Sequence, residues 1–144
     1  MSVVTNAVVE GLETHLPKVI DARTHGIIDY CHAAFFFGMA WFWRKSEPKA
    51  ALAAAVTGAF ILTESLLTDY PLGVKKVIPF EAHGKIDAAF AGSSFLVPKV
   101  FGFSGTPAAK IFQANGFAEG AVVGMTDFTN AVAQAEESQM GLDW

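Results

Sequence analysis

The chain has 144 residues, 52% of them hydrophobic, with a mean hydropathy of +0.37; that is enough for one compact unit and too short for two independent ones. Ten Lys and Arg and a formal charge of −4 leave no basic stripe to neutralise phosphates, which excludes nucleic acid as an expected partner. One cysteine, Cys31, excludes an internal disulfide, a multi-thiolate metal site and an iron–sulfur cluster; in its apolar run it is expected to be a buried, inert thiol.

In chain order, Met1 to Ile20 lacks the basic start, continuous apolar stretch and small-residue cleavage site of a signal peptide, so it is expected to remain on the mature protein. Val4, Val8, Leu12 and Leu16 recur every four residues before Pro17, which predicts a short amphipathic helix on the membrane surface or the top of the bundle, with His15 solvated. Four apolar segments follow: Gly26 to Trp43, Ala50 to Leu67, Ile86 to Phe103 and Pro107 to Met125. Each is about 18 residues, roughly 27 Å of helix, just enough for a hydrocarbon layer of about 30 Å. A soluble bundle would need polar outer faces, whereas Ala34 to Trp43 (AFFFGMAWFW) is apolar all round. Phe42 and Trp43 followed by Arg44 and Lys45 read as an aromatic belt with a cationic anchor. An integral membrane location, in the bacterial cytoplasmic membrane, is therefore expected. The two ends of the hairpins carry five Lys or Arg each, so the positive-inside rule does not choose an orientation.

Sliding the chain against itself gives an offset of 58 residues that runs without a gap from His25 to Tyr70, with twelve of 46 pairs identical; chance in an Ala-rich chain would give roughly three or four. The identities include His25 and His83, Gly26 and Gly84, Asp29 and Asp87, Gly58 and Gly116, Thr68 and Thr126, and Asp69 and Asp127. Each unit reads as a helix opening with His-Gly-x-Ile-Asp and a returning helix ending in Thr-Asp-aromatic. Both units then enter the membrane from one side, related by a pseudo-two-fold axis along its normal. Gly58 and Gly116 are expected at close helix contacts. The predicted fold is all-α, a four-helix transmembrane bundle of two tandem hairpins: an interfacial helix over 1–20, a membrane domain over 21–128 with repeat units 25–70 and 83–128, and a polar tail over 129–144.

The second unit, with Ile86-Asp87, Gly92, Phe95-Leu96, Pro98, Val100-Phe101-Gly102-Phe103, Ala114-Asn115-Gly116 and Gly120, resembles the SPW-repeat membrane proteins, which carry a two-helix repeat with a Ser-Pro-Trp signature near the end of its first helix. Here the signature position reads Val97-Pro98-Lys99. The resemblance implies a membrane location and no assigned activity.

The repeat gathers ligand-type residues at one level. His25 and Asp29 share a helical face, as do His83 and Asp87, and His32 extends the first face by a turn. Asp69 and Asp127 end the return helices, with Glu64 and Glu119 a turn or two deeper. Histidines near helix N-termini and aspartates near C-termini oppose the helix dipole by about 0.3–1 kcal/mol each, so these groups should pair across helices or share a cation. Four readings stay open: a structural Asp–His latch; a transition metal (Zn, Fe, Mn or Cu) held by His25, Asp29, Asp69, His83, Asp87, Asp127, Glu64 and Glu119; a bis-histidine haem through His25 and His83; and a proton or ion pathway. His32, opposite Phe90 in the second unit, reads as a hydrogen-bonded core residue, and Phe35 to Phe37 and Trp41 to Trp43 as lipid contacts that a quinone, pigment or neighbouring subunit could also use. No phosphate-binding glycine loop and no Ser-His-Asp or Cys-His motif marks an enzyme. The expected function is that of a structural or accessory membrane protein that oligomerises or joins other membrane subunits. A metal- or redox-cofactor-binding protein is the alternative.

Overall fold

A computed structural model describes residues 16–129. Most of the amphipathic segment expected over 1–20, His15 included, and the tail beyond Thr129 lie outside the described residues. The described chain is mostly helical: α1 (Ala22–Trp43), α2 (Pro48–Leu67), α3 (Phe80–Ser93), α4 (Val97–Phe101) and α5 (Pro107–Met125), with two short strands, β1 (Thr68–Asp69) and β2 (Ile78–Pro79), paired in parallel.

Local chemistry sets these boundaries. The Asp21 carboxylate accepts the Thr24 N–H at 2.7 Å and caps α1. Pro48 and Pro107 stand in the first turns of α2 and α5, where a missing N–H is harmless. The third apolar segment, expected as one helix over Ile86 to Phe103, is divided between α3 and α4. Pro98 has no N–H to return to Ser94 four residues back, so an unbroken ladder cannot pass it. At the far end, Gly102 takes φ 77° and the Phe103 N–H reaches Pro98 O at 2.8 Å, a left-handed C-terminal stop.

α1 packs along α2, and α3 along α5. The core between them is made of small residues, Ala33, Ala50, Ala53, Ala54, Ala108 and Ala109, wedged by Phe36, Trp43, Phe103 and Phe112. Small residues let the backbones close in: a Cβ on Gly58 would stand 3.2 Å from Ala33 O, and one on Gly116 only 2.8 Å from Ala91 O, the close approach expected for both positions.

Beside this apolar core the chain buries polar side chains and exposes apolar ones. His25, Asp29, Thr57, Glu64, Thr68, His83, Asp87, Asn115, Glu119 and Thr126 are buried, while Phe42, Val100 and Phe117 are 70–78% exposed. Among the described helices one, α2, is long and apolar enough to cross a membrane by length and composition. α1 is longer, but Asp29 and two histidines dilute it, and α3 has only 14 residues. Cys31, expected buried, is exposed; two residues past Asp29, it lies about 200° around α1, opposite the face on which His25 and Asp29 turn inward.

Candidate metal centre

The polar end of the molecule is assembled from the first turns of α1 and α3 and the residues just after α2 and α5. After α5 the chain pairs back on the segment before α1, with Ile20 bridged to Thr126; after α2 it pairs on the segment before α3, with Thr68 opposite Ile78. These short parallel pairings hold each threonine beneath the histidine of the other hairpin. The His25 Nδ1 lies 2.9 Å from Thr126 Oγ1, and the His83 Nδ1 lies 2.7 Å from Thr68 Oγ1.

Hydrogen-bond counting then assigns the tautomer. Each threonine hydroxyl gives its one proton to the carbonyl four residues back, Thr126 to Val122 O and Thr68 to Glu64 O, both at 2.7 Å. The hydroxyl can therefore only accept from the imidazole, which puts a proton on Nδ1 of both histidines. Both Nε2 atoms face a common centre. They lie 3.1 Å from each other. His25 Nε2 is 3.3 Å from Asp29 Oδ1 and 3.1 Å from Asp87 Oδ2, and His83 Nε2 is 3.3 Å from Asp29 Oδ2 and 3.0 Å from Asp87 Oδ2. One donor atom from each of the four residues lies within 4.8 Å of every other, and all four residues are buried.

The surroundings are closed and aromatic. Phe80 and Phe128 set their rings 5.4 Å from His25, and Tyr70 sits 5.7 Å from His83. These rings approach because Gly26 and Gly84 carry no side chain: a Cβ would meet Tyr70 at 3.0 Å and Phe128 at 2.8 Å. Burial, reinforced by the Asp29 carboxylate, pushes the Tyr70 phenol above its ordinary range, so it stays protonated and donates to Asp29 Oδ2 at 3.0 Å.

Of the eight residues named from the sequence, four form the centre. Glu64 borders it, with Oε1 buried, 3.6 Å from His83 Nδ1 and without a hydrogen-bond partner. Glu119 is buried but turns to His32, 3.2 Å from its Nδ1. Asp69 points outward and lies 3.5 Å from Lys76 Nζ, and Asp127 accepts from the N–H and hydroxyl of Thr129; neither joins the four. His32 is hydrogen-bonded as expected, with Nε2 on Asn115 Oδ1.

Thr68 and Thr126, which orient the histidines, carried no expected role although both belong to the repeat. Their signal was the same Thr-Asp dipeptide that suggested Asp69 and Asp127. In an extended segment successive side chains point to opposite faces, and here the threonine takes the inner one: Thr68 is buried and Asp69 exposed. Tyr70 and Asn115 were missed too, because neither is titratable near neutrality and Tyr70 has no hydroxyl counterpart at Phe128.

The haem reading does not fit this geometry. A haem lies flat between its two axial imidazoles, whereas these two Nε2 atoms touch at 3.1 Å and both carboxylates occupy the space around them. Comparison with known proteins finds no matching family model, no similar curated protein and no similar solved structure.

Proposed function

We propose that this chain is a membrane-embedded scaffold of two helical hairpins, clamped together at one end by a single divalent transition metal bound to His25, Asp29, His83 and Asp87. The observation that carries the reading is the pair of inward-facing Nε2 atoms 3.1 Å apart, each within 3.0–3.3 Å of an oxygen of both Asp29 and Asp87, with Asp29 turning Oδ1 to His25 and Oδ2 to His83. A tetrahedral ion with ligands at about 2.0–2.1 Å spaces them about 3.3 Å apart. Two neutral imidazoles and two carboxylates sum to −2, which a divalent cation cancels, and a buried site surrounded by aromatic rings needs that neutrality. Zinc suits a tetrahedral set of nitrogen and oxygen ligands best. The threonine hydroxyls serve as the outer hydrogen-bond partners that fix each ring.

Four protein ligands leave no open position, so the metal's role here is structural rather than catalytic. Each hairpin supplies one His and one Asp, so the ion ties the first hairpin to the second. A metal-free latch with both imidazoles doubly protonated would also be neutral, but it would set two N–H groups against each other at 3.1 Å.

Membrane embedding is supported by the large apolar side chains exposed on the outer helix faces, Phe35, Leu52, Val56, Val100 and Phe117 among them, and by the apolar α2. At the opposite end of α1 the Arg44 guanidinium stacks 3.5 Å over the exposed Trp41 ring, as an interfacial anchor would. In this reading α1, α2, α3 with α4, and α5 are the four spans, and the 58-residue offset and likeness to SPW-repeat proteins describe the two hairpins as copies of one unit. The exposed aromatics then face lipid, a second copy or other membrane subunits.

The test is metal content. Protein purified in detergent should carry close to one zinc or similar ion per chain, and His25→Ala and His83→Ala should each lose it. Chelation should lower the unfolding temperature of the native protein and leave both variants unchanged. Absence of any stoichiometric metal, with His25→Ala still destabilising, would leave the latch in place of the clamp. Monodisperse extraction without detergent would sink the membrane reading separately.

A further inference from the structure

A cleft of about 530 Å³ opens on the outer surface between α1 and α5. Its walls are apolar, formed by Ile28, Cys31, Phe35, Ile111 and Ala118, and its floor is not: His32, Asn115 and Glu119 lie at the bottom. The floor is a fixed chain. Ser94 Oγ donates to Phe90 O at 3.1 Å and so accepts from Asn115 Nδ2, also at 3.1 Å. That orientation turns Asn115 Oδ1 toward His32 Nε2, and the other ring nitrogen of His32 meets Glu119 Oε2 at 3.2 Å.

A matching cleft of about 380 Å³ lies between α2 and α3. Thr57 and Phe90 line it at the positions of Asn115 and His32, and in the 58-residue register the position of Glu119 is taken by Ile61, which belongs to the buried core. The same place in the fold thus has only the hydroxyls of Thr57 and Ser93 on one side and carries a hydrogen-bonded His–Asn–Glu trio on the other. Packing alone does not call for that trio, because the second cleft is built without it.

Depth narrows the occupant. His32 stands halfway along the 22 residues of α1, about 15 Å from either end at 1.5 Å per residue. In the membrane reading, on which this inference rests, that is the bilayer midplane. Phospholipids and sterols keep their polar groups at the surface, and an acyl chain would leave the trio facing hydrocarbon. The ligand must bring a hydrogen-bonding group to mid-depth on an apolar body. Asn115 Nδ2 has a second N–H beyond the one given to Ser94, and the Glu119 carboxylate can accept more than one bond. A donor and an acceptor side by side suit both the carbonyl and the hydroxyl state of a quinone ring.

We propose that the α1–α5 cleft is a binding site for a membrane quinone, its ring among Ile28, Phe35 and Ile111 and one ring oxygen on the His32–Asn115–Glu119 floor. The volume lies within the range of about 300–1,000 Å³ usual for small-molecule pockets.

Cys31 supplies the probe, being the one thiol of the chain, exposed, and in the cleft wall. The detergent-purified protein is titrated with decylubiquinone, whose ring is fully substituted and inert toward a thiol, and the rate of Cys31 alkylation by N-ethylmaleimide is followed. The expected result is saturable slowing. His32→Phe, which gives the first cleft the residue of the second, should weaken that protection by at least about tenfold, or 1.4 kcal/mol, with metal content unchanged. His32→Leu takes its place should the Phe variant fail to accumulate. Alkylation indifferent to the quinone, or protection equal in wild type and variant, overturns the proposal. Recovery of the chain in the membrane fraction, scored on the same preparation, separates that failure from failure of the membrane reading.

Discussion

At the end that holds the candidate metal centre the two hairpins supply the same His, Asp and Thr, and a turn deeper they do not. His25, Asp29 and Thr68 stand 58 residues from His83, Asp87 and Thr126, and each histidine touches the other hairpin's threonine. Below them His32 faces Phe90, Asn115 faces Thr57, Glu64 faces Val122 and Glu119 faces Ile61 in the same register. A centre that draws one His and one Asp from each hairpin needs the same geometry from both. A cleft belongs to one pair of helices, and the other pair is free to fill its own with hydrocarbon. Identity between the halves therefore marks what they share, and difference marks what one half does alone.

The largest break expected within this comparison lies at the helix crossings. A Cβ at Gly116 would stand 2.5 Å from the Phe95 ring and 2.8 Å from Ala91 O, whereas at Gly58 its nearest neighbours are at 3.2 Å. Gly116→Ala should destabilise by about 1–3 kcal/mol through overpacking. Gly58→Ala should cost well under that, because a gain of up to about 1 kcal/mol in helix propensity offsets the milder crowding. Thermal unfolding in detergent followed by circular dichroism compares the two. Equal effects would mean that the second hairpin is packed no more tightly than the first.

A smaller effect is expected where the hairpins differ by a single hydroxyl. Tyr70→Phe gives the first hairpin the residue the second has at Phe128, and removes the bond to Asp29. The loss should be about 1–2 kcal/mol, with about tenfold weaker retention of the proposed metal against a chelator, since the phenol would be an outer partner of the Asp29 ligand. Unchanged retention would show that Asp29 is held by its neighbours alone.

Much of this was legible because periodicity and the repeat act on whole faces. The helix Pro107–Met125 has the bounds its apolar segment suggested, and the repeat pointed to it despite Lys110, Gln113, Asn115 and Glu119 through its apolar counterpart, Ala50 to Leu67. The four residues of the centre followed from helical spacing combined with the offset. The choice of Thr68 and Thr126 over Asp69 and Asp127 did not, because it depends on how the extended residues after each helix pair with a distant segment, and adjacent residues there face opposite ways. The division at Ser94 to Leu96 was foreshadowed only by Pro98. The exposure of Cys31 was within reach of the same spacing, since the face that turns His25 and Asp29 inward turns Cys31 out; the apolar run around it outweighed that sign.

The smallest expected effect concerns how the two leading helices begin. Asp21 caps α1, while the matching position before α3 is Pro79, which makes no side-chain cap. Asp21→Ala should therefore cost about 1 kcal/mol. The effect has a pH signature with a definite sign. The Thr24 N–H holds the Asp21 carboxyl below its ordinary value, so folding favours the ionised form. Its contribution is complete above the unfolded-state pKa of about 3.9 and fades as the pH falls through the lower folded value. Asp21→Asn keeps a capping oxygen but cannot ionise, so its stability relative to wild type should be constant above about pH 5 and should improve as the pH drops below about 4. Unfolding temperatures of the two proteins across that range decide the point, and a difference that stays flat down to strong acid would show that the cap owes nothing to its charge.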